Sequence, residues 1–533
     1  MKTRFLLLLL LLTSFFTSSA QSWEWVQQFG AADNESADEL QVAQSGTIYL
    51  AGTYQEGFSL GTSLPWGGET DAYLSSLDAD GNVRWTRAAS GNQPDRSGGL
   101  ALAPDESQLY WAGSYWEEVR FGDDTLRSSS GGKAIFLACY ETDGELRWLQ
   151  GLNGSGLRSV GDLVTAPDGS LYLTGYFGGT LLLGDTTLTA SGEADAFLAR
   201  FDADGQLRWA ANFGSSGFVE GTILEVLDDN SVYFCGHFRG RIGVGSDTIR
   251  TNTSDNDLFI ARIAADGEPL WLRKAGGVHQ DISRGSTIDD QGRLYLSGYY
   301  YGILKLSDGI TLQATGFNDN FYILQYDREG EARWAQSYGG EGLAHSMDIE
   351  WKAGELVLGG YFRQRLTMGN TTYDAQNNLS SFIAGFDLDG NLKWSQQMAS
   401  TEISLLDELA LLADGQYLCA GSFRSSISFG TQELTTAGNY DIYLAQGNDG
   451  TTAVTSLIDG PFAVRLYPNP VQEQLFLQNL PAGTEWRIID VTGRRLRRGV
   501  GDTRIDVSTL QPGQYFLQLF SSDQEAHHSF IKL

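Results

Sequence analysis

A Gly-x-x-x-Trp element recurs six times, and it constrains the fold more than any other feature. The copies are Gly81 to Trp85, Gly144 to Trp148, Gly205 to Trp209, Gly267 to Trp271, Gly330 to Trp334 and Gly390 to Trp394, with successive tryptophans 60 to 63 residues apart. A period of this size marks arrays in which one supersecondary unit stacks on the next. Trp25 lies 60 residues before Trp85 with no glycine element ahead of it, and the Asp449-Gly450 turn has no tryptophan after it. The two ends complete one another. This pattern predicts a ring closed by its own N-terminus.

Within one unit, Asp162 to Gly214, short β-rich runs alternate with Asp-Gly turns: Asp162 onward, Leu171 to Phe177, an inserted hairpin over Leu181 to Leu188, Asp195 to Phe201, and Leu207 to Phe213. Even spacing and Asp-Gly or Asn-Gly turns argue an all-β barrel or propeller. Four strands per unit, seven times over, predict a seven-bladed β-propeller over residues 21–450. The last unit supplies three strands, from about Leu405 to Gln446, and Trp23 to Phe29 is expected as its outermost fourth, hiding sheet edges.

Register holds across the units. The second strand carries a glycine in all seven, at 52, 113, 175, 236, 298, 360 and 421, and an aromatic two residues later, from Tyr54 to Phe423. The period-two offset puts each ring on one face, as core packing between blades, and the glycine permits close backbone approach. The third strand opens with Asp71, Asp195, Asp257, Asn320 or Asp441, residues able to bond amides two positions on. The Asp-x-Asp-Gly turns at 78–81, 202–205 and 387–390 lack the later bidentate acid of a calcium loop and read as Asx-type hairpin turns.

The repeat resembles the tryptophan-docking repeat of quinoprotein-like propellers and the secreted bacterial propeller repeats called SBBP. The resemblance implies a fold and no reaction. Quinoprotein dehydrogenases need an adjacent cysteine pair and a metal-bound cofactor, and Cys139, Cys235 and Cys419 are far apart. They read as small buried hydrophobes. No cofactor or metal is expected.

Lys2 and Arg4, the apolar run Phe5 to Leu12 and the small residues Ser18 to Ala20 follow the plan of a secretory signal peptide over residues 1–20. No later stretch is long and apolar enough for a transmembrane helix. The formal charge is −30, and from Phe462 onward 8 Lys and Arg stand against 7 Asp and Glu, so the repeats carry the excess. That field repels nucleic acid and anionic membranes and favours cationic or basic partners.

After a linker at 451–461, residues 462–533 show seven short strands, the pattern of a small Ig-like sandwich. The motifs Tyr467-Pro468-Asn469-Pro470, Asp490-x-x-Gly493, Leu510-x-x-Gly513-x-Tyr515-Phe516 and the closing Phe530-Ile-Lys532-Leu resemble the type A sorting domain of the type IX secretion system. The resemblance implies a partner, the type IX machinery, which moves cargo across a Gram-negative outer membrane. It also implies removal of the domain by a surface protease, with the cargo released or tethered to lipopolysaccharide.

No His-x-x-x-His, Gly-x-Ser-x-Gly or phosphate-loop motif occurs. Loops opposite the Asp-Gly turns vary most, and loops on a rigid scaffold are where binding usually lives. The innermost ones are expected to present Asp33, Asn34, Arg96, Arg158, Glu220, His279, Asp281, Arg284, Glu341 and His345 around a central channel, a mixed-charge set suited to a polar glycan or peptide. Trp66 and Trp116, on inserted hairpins, read as exposed aromatics. The sequence predicts a monomeric, non-catalytic recognition scaffold for an extracellular glycan or protein. The alternative is a polysaccharide hydrolase or lyase acting at the channel mouth through paired acids.

Overall fold

The computed structural model describes residues 22–129, 131–214, 216–251, 255–316, 318–352, 354–412 and 416–448. Toward the C-terminus it describes 465–467, 474–478, 484–490, 494–501, 504–511, 513–521 and 524–532. The expected signal peptide and the Asp449-Gly450 turn lie outside these residues. The chain divides into two compact units, one holding the described residues up to Asn448 and the other those from Arg465. Among the described residues every regular element is a β-strand.

The larger unit consists of seven antiparallel four-strand meanders in chain order. Their first strands are Ser36–Val42, Arg96–Leu102, Arg158–Thr165, Phe218–Val226, Asp281–Ile288, Ala344–Lys352 and Ile403–Leu411. The seventh meander takes Tyr417–Arg424 and Asp441–Asn448 as its second and third strands. Its fourth is Ser22–Phe29, paired antiparallel with Asp441–Asn448 from Ser22 opposite Asn448 to Phe29 opposite Ile442. Each first strand lies against the first strand of the next meander, and the seventh lies against that of the first.

The repeated tryptophan has a direct physical reading. Its indole N–H donates to a turn carbonyl of the following meander: Trp85 to Thr142 at 3.0 Å, Trp148 to Ala203 at 3.2 Å, Trp209 to Ala265 at 2.9 Å, Trp271 to Arg328 at 2.9 Å and Trp334 to Leu388 at 3.0 Å. The ring then packs on the glycine of that same turn. A Cβ on Gly330 would sit 2.7 Å from the Trp271 ring, and Gly330 also holds φ +80°. Only glycine meets both demands at low cost. Gly81 receives Trp25 from the N-terminal strand in the same way. Trp394 differs: its N–H bonds Glu355 Oε1 at 2.9 Å and its ring stacks on Tyr417.

The glycine of the second strand answers to a second constraint. Every first strand carries a β-bulge, at Asp38, Gly98, Gly161, Thr222, Arg284, Met347 and Asp407. Beside it a carbonyl leans over the second strand, 2.0 to 2.1 Å from where a Cβ would stand at 52, 113, 175, 236, 298, 360 and 421. A side chain there would collide with backbone, which has little freedom to give. The aromatics two residues on, Tyr54 through Phe423, are fully buried, as core packing requires.

The Asp-x-Asp-Gly turns are held as expected. Asp78 Oδ1 accepts from the amides of Asp80 at 3.0 Å and Asn82 at 2.8 Å, and Asp202 and Asp387 repeat the pattern. The third-strand acids work differently from expectation: Asp71, Asp195 and Asp441 accept amides from four residues upstream, Gly67, Ser191 and Ala437, at 2.7 to 2.9 Å. They close the loop that enters the strand.

In the C-terminal unit a three-stranded sheet (Arg465–Tyr467, Gln474–Gln478, Arg504–Asp506) and a four-stranded one (Arg495–Val500, Glu485–Asp490, Gly513–Ser521, Gln524–Lys532) share one core. Leu475, Leu477 and Ile505 meet Trp486, Ile488, Tyr515, Leu517 and Leu519 there.

Gly330→Ala is expected to destabilise the larger unit by about 2–4 kcal/mol, from left-handed backbone strain plus overpacking against the indole. Gly309→Ala, also at positive φ but with open space around it, is expected to cost only the strain, about 1–2 kcal/mol. Urea unfolding of the two variants checks the difference.

Candidate functional site

The first strands present their inner edges to the space they enclose, and an inner edge has backbone N–H groups with no ladder partner. Side chains answer this. Asp162 accepts from Leu163 N and, on the neighbouring first strand, from Leu224 N, both at 2.7 Å. Asp348 likewise accepts from Ile349 N at 2.7 Å and from Leu409 N of the next meander at 2.9 Å. Glu225 accepts from Ser286 Oγ at 2.8 Å. These carboxylates clasp adjacent meanders together.

They also crowd one another. Asp38, Glu39, Asp162, Glu225, Asp348, Glu350, Asp407 and Glu408 all lie on first strands and keep partial exposure. Burial by surrounding protein is the main cause that raises Glu225 to about 8, Asp162 and Asp407 to about 7, and Asp38 and Asp348 to about 6. Glu39, Glu350 and Glu408 are pushed well above the usual range by burial and then by neighbouring carboxylates. Sequence reading missed this group. Its signal was present: acids inside the otherwise apolar first strands, as in Asp348-Ile-Glu350 and Asp407-Glu408.

Above the bulges lies a mixed set. Glu220 Oε2 meets His237 Nε2 at 3.3 Å. His345 is nearly buried: Nε2 pairs with Asp319 Oδ2 at 2.9 Å, Nδ1 with Tyr361 Oη at 3.2 Å, and the imidazole stacks on Tyr299 at 3.7 Å. Burial raises Tyr361, Asp407 and Asp38, and the exposed Arg284 offsets part of this for the first two, as the exposed Arg96 does for Asp38. Lys133, which the sequence reading did not single out, lies within electrostatic range of Arg96, Arg158 and Glu220, and burial lowers its ammonium to about 8. Arg96, Glu220, Arg284 and His345 thus lie on four different first strands, each at a bulge or two residues before one.

Other expected residues stand elsewhere. Arg158 is fully buried, with Nη2 donating to Gly156 O at 3.1 Å and no protein hydrogen-bond partner for Nε or Nη1. The reason is positional: it opens its strand three residues before the bulge, where Glu35, Asp95 and Asp281 are also buried. Asp281 is held by Gly277 N at 2.9 Å. His279 is exposed and packs edge-on against Tyr301, at the start of a hairpin. Asp33, Asn34 and Glu341 are exposed, and Asn34 is tied to Gln55 and Asn439. Among the described residues no group of His, Cys, Asp and Glu has metal-binding geometry, and the three cysteines are buried.

Comparison with known proteins adds one decisive point. Residues 465–532 match the family model described as the secretion system C-terminal sorting domain. The chain ends in a type IX sorting domain. This domain indicates secretion through the type IX system to the cell surface or the extracellular space. In the sorting domain Gly513 pairs with Lys532, and Tyr515 pairs with Asp490 and Phe530 while its hydroxyl donates to Gln511 O at 2.7 Å. Tyr467 lies in a strand opposite Phe476; Pro468, Asn469, Pro470 and Gly493 lie outside the described residues. The chain has distant relatives. It is similar to an uncharacterized WD repeat-containing protein of Acanthamoeba polyphaga mimivirus, 23% identical over 395 residues, covering 59% of this chain and 28% of that protein. It is also similar to the regulatory protein FlaEY of Caulobacter vibrioides, 28% identical over 211 residues, covering 38% and 22%. The chain therefore spans less than a third of either relative. Among solved structures, the β-propeller domain of the Trilobed protease from Pyrococcus furiosus aligns at 11% identity and TM-score 0.38, covering 76% of this chain and 96% of that one. The architecture rests on the strand pairings above.

The buried carboxyls fix the pH response. Asp95 is fully buried beside Asp71, neither of its oxygens has a well-formed hydrogen bond, and burial followed by the Asp71 charge raises it to about 9. Asp281 is raised to about 9 by burial, with Asp257 adding to it. A folded-state pKa above the unfolded value means the native state binds more protons, so stability falls as pH rises from about 4 to 9. Melting temperature is expected to drop between pH 6 and pH 9. Asp95→Asn, neutral at every pH, is expected to melt higher than the parent at pH 9 and alongside it at pH 5. Calorimetry across that range checks both.

Proposed function

We propose that this chain is an exported, monomeric, seven-bladed β-propeller, closed by its N-terminal strand, that acts as a non-catalytic recognition scaffold for an extracellular glycan or protein. Residues 1–20 serve as a signal peptide, 21–450 as the propeller, 451–461 as a linker, and 462–533 as an Ig-like sandwich that is the sorting domain. The ring is supported by the cyclic contact of the first strands and by the pairing of Ser22–Phe29 with Asp441–Asn448.

The recognition reading is carried by one contrast. Around the opening, Arg96, Arg284, the Glu220–His237 pair and the His345–Tyr361 pair offer varied polar groups from several meanders. Below them, Asp162 and Asp348 already accept two backbone amides each. Acid–base catalysis needs carboxyls aimed at substrate, and these are aimed at the neighbouring strand. The hydrolase or lyase alternative draws on Glu225, whose raised pKa suits a general acid. The acidic channel favours ligands that bring cationic or hydrogen-bond-donor groups.

The purified full chain is to be screened on glycan and extracellular-protein arrays, with product analysis of every bound carbohydrate. Mouth recognition predicts a ligand whose affinity falls about tenfold or more in Arg284→Ala and His345→Ala, the loss of one charge-assisted hydrogen bond, without turnover. Cleaved products that vanish in Glu225→Gln would establish the enzymatic alternative instead. Deleting 462–533 is expected to keep the protein inside the outer membrane, as cell fractionation reads directly.

A further inference from the structure

We propose a second binding site, independent of the channel mouth: the groove between the hairpins of the first and second meanders takes a neutral glycan. Its origin is local. The second meander's hairpin has strands of four residues, Glu118–Phe121 and Asp124–Arg127, and it is tied to the first meander where Ser90 and Arg120 exchange backbone hydrogen bonds at 2.9 and 3.1 Å. The first meander's hairpin stops after two residues per strand, Ser59–Leu60 and Thr62–Ser63, and Pro65 stands two residues beyond. Proline has no N–H to extend the ladder. The chain leaves as a loop, anchored where Tyr54 Oη donates to Pro65 O, and the space a longer hairpin would fill stays open. The result is a groove of about 690 Å³.

Two indoles, Trp66 and Trp116, line it. Trp66 is 41% exposed, and its N–H is pinned to Glu69 O at 2.6 Å, so the ring is held in place without being covered. Trp116 also lines the groove and is half-buried. A flat, fixed, exposed indole offers an apolar face to the C–H side of a pyranose ring, while the polar groups around it meet the hydroxyls. Those groups are present: Asn92 and Gln93 on the wall, and the Arg120–Glu118 pair, joined at 3.0 Å. Arg87 and Arg120 balance Glu117 and Glu118 among the lining residues, so the groove carries no net charge in a strongly acidic chain. That balance selects a neutral ligand over an acidic polysaccharide or a basic peptide.

The test titrates the full chain with neutral oligosaccharides (gluco-, manno-, galacto- and xylo-oligomers) by calorimetry and tryptophan fluorescence. The site predicts that at least one binds and perturbs the fluorescence. Affinity should fall about tenfold in Trp66→Ala, the scale of one lost aromatic stack, and also in Asn92→Ala, with unchanged melting temperature. His345→Ala should leave it untouched, which separates this site from the mouth. No binding by any of these sugars, binding indifferent to Trp66, or binding abolished by His345→Ala would each overturn the assignment.

Discussion

The contact of a tryptophan with the glycine turn of the following meander is the interaction on which the rest of this structure depends. A four-strand meander alone buries too little to be stable, and it gains its core from neighbours. The indole supplies that coupling twice over, with a large apolar face and one directional N–H. The glycine is fixed by the same event, because its φ near +80° and the ring above it both exclude a side chain. Five of the six Gly-x-x-x-Trp elements thus receive the ring of one neighbour and offer their own to the next. Trp25 on Gly81 extends the coupling to the N-terminal strand.

The bulge in each first strand is the second repeated device, and it links architecture to function. It bends the inner strand, forces glycine on the strand beside it, and turns one residue per meander toward the enclosed space. Where those and adjacent positions are acidic, the carboxylates satisfy the amides of the next inner strand. The same geometry that joins the meanders therefore concentrates negative charge, and burial keeps part of it protonated.

Much of the fold was legible in the sequence because repetition multiplies weak signals. The seven glycine–aromatic pairs gave the strand register, and the orphan Trp25 anticipated the pairing of the N-terminal strand with Asp441–Asn448. The reason for the second-strand glycine was only half legible: close approach was expected, but a carbonyl displaced by a bulge has no sequence mark of its own. The site was less readable. Arg96, Glu220, Arg284 and His345 stand at their bulges or two residues before them, whereas Arg158 and Asp281 stand three residues before theirs and are fully buried. A side chain's direction beside a bulge changes with a single residue, and spacing alone does not resolve it. The channel acids were overlooked because a chain with 66 Asp and Glu hides eight that matter.

The most direct test of the account is covalent capture of the closing strand. Ser22 and Asn448 face each other in register, with Asn448 Nδ2 donating to Ser22 Oγ at 2.9 Å, and the native cysteines are buried away from the surface. Ser22→Cys combined with Asn448→Cys should form a disulfide quantitatively, detected by peptide mapping, and should raise the melting temperature by joining the two ends of the ring. Free thiols in a protein that keeps its native circular dichroism would contradict closure by the N-terminal strand.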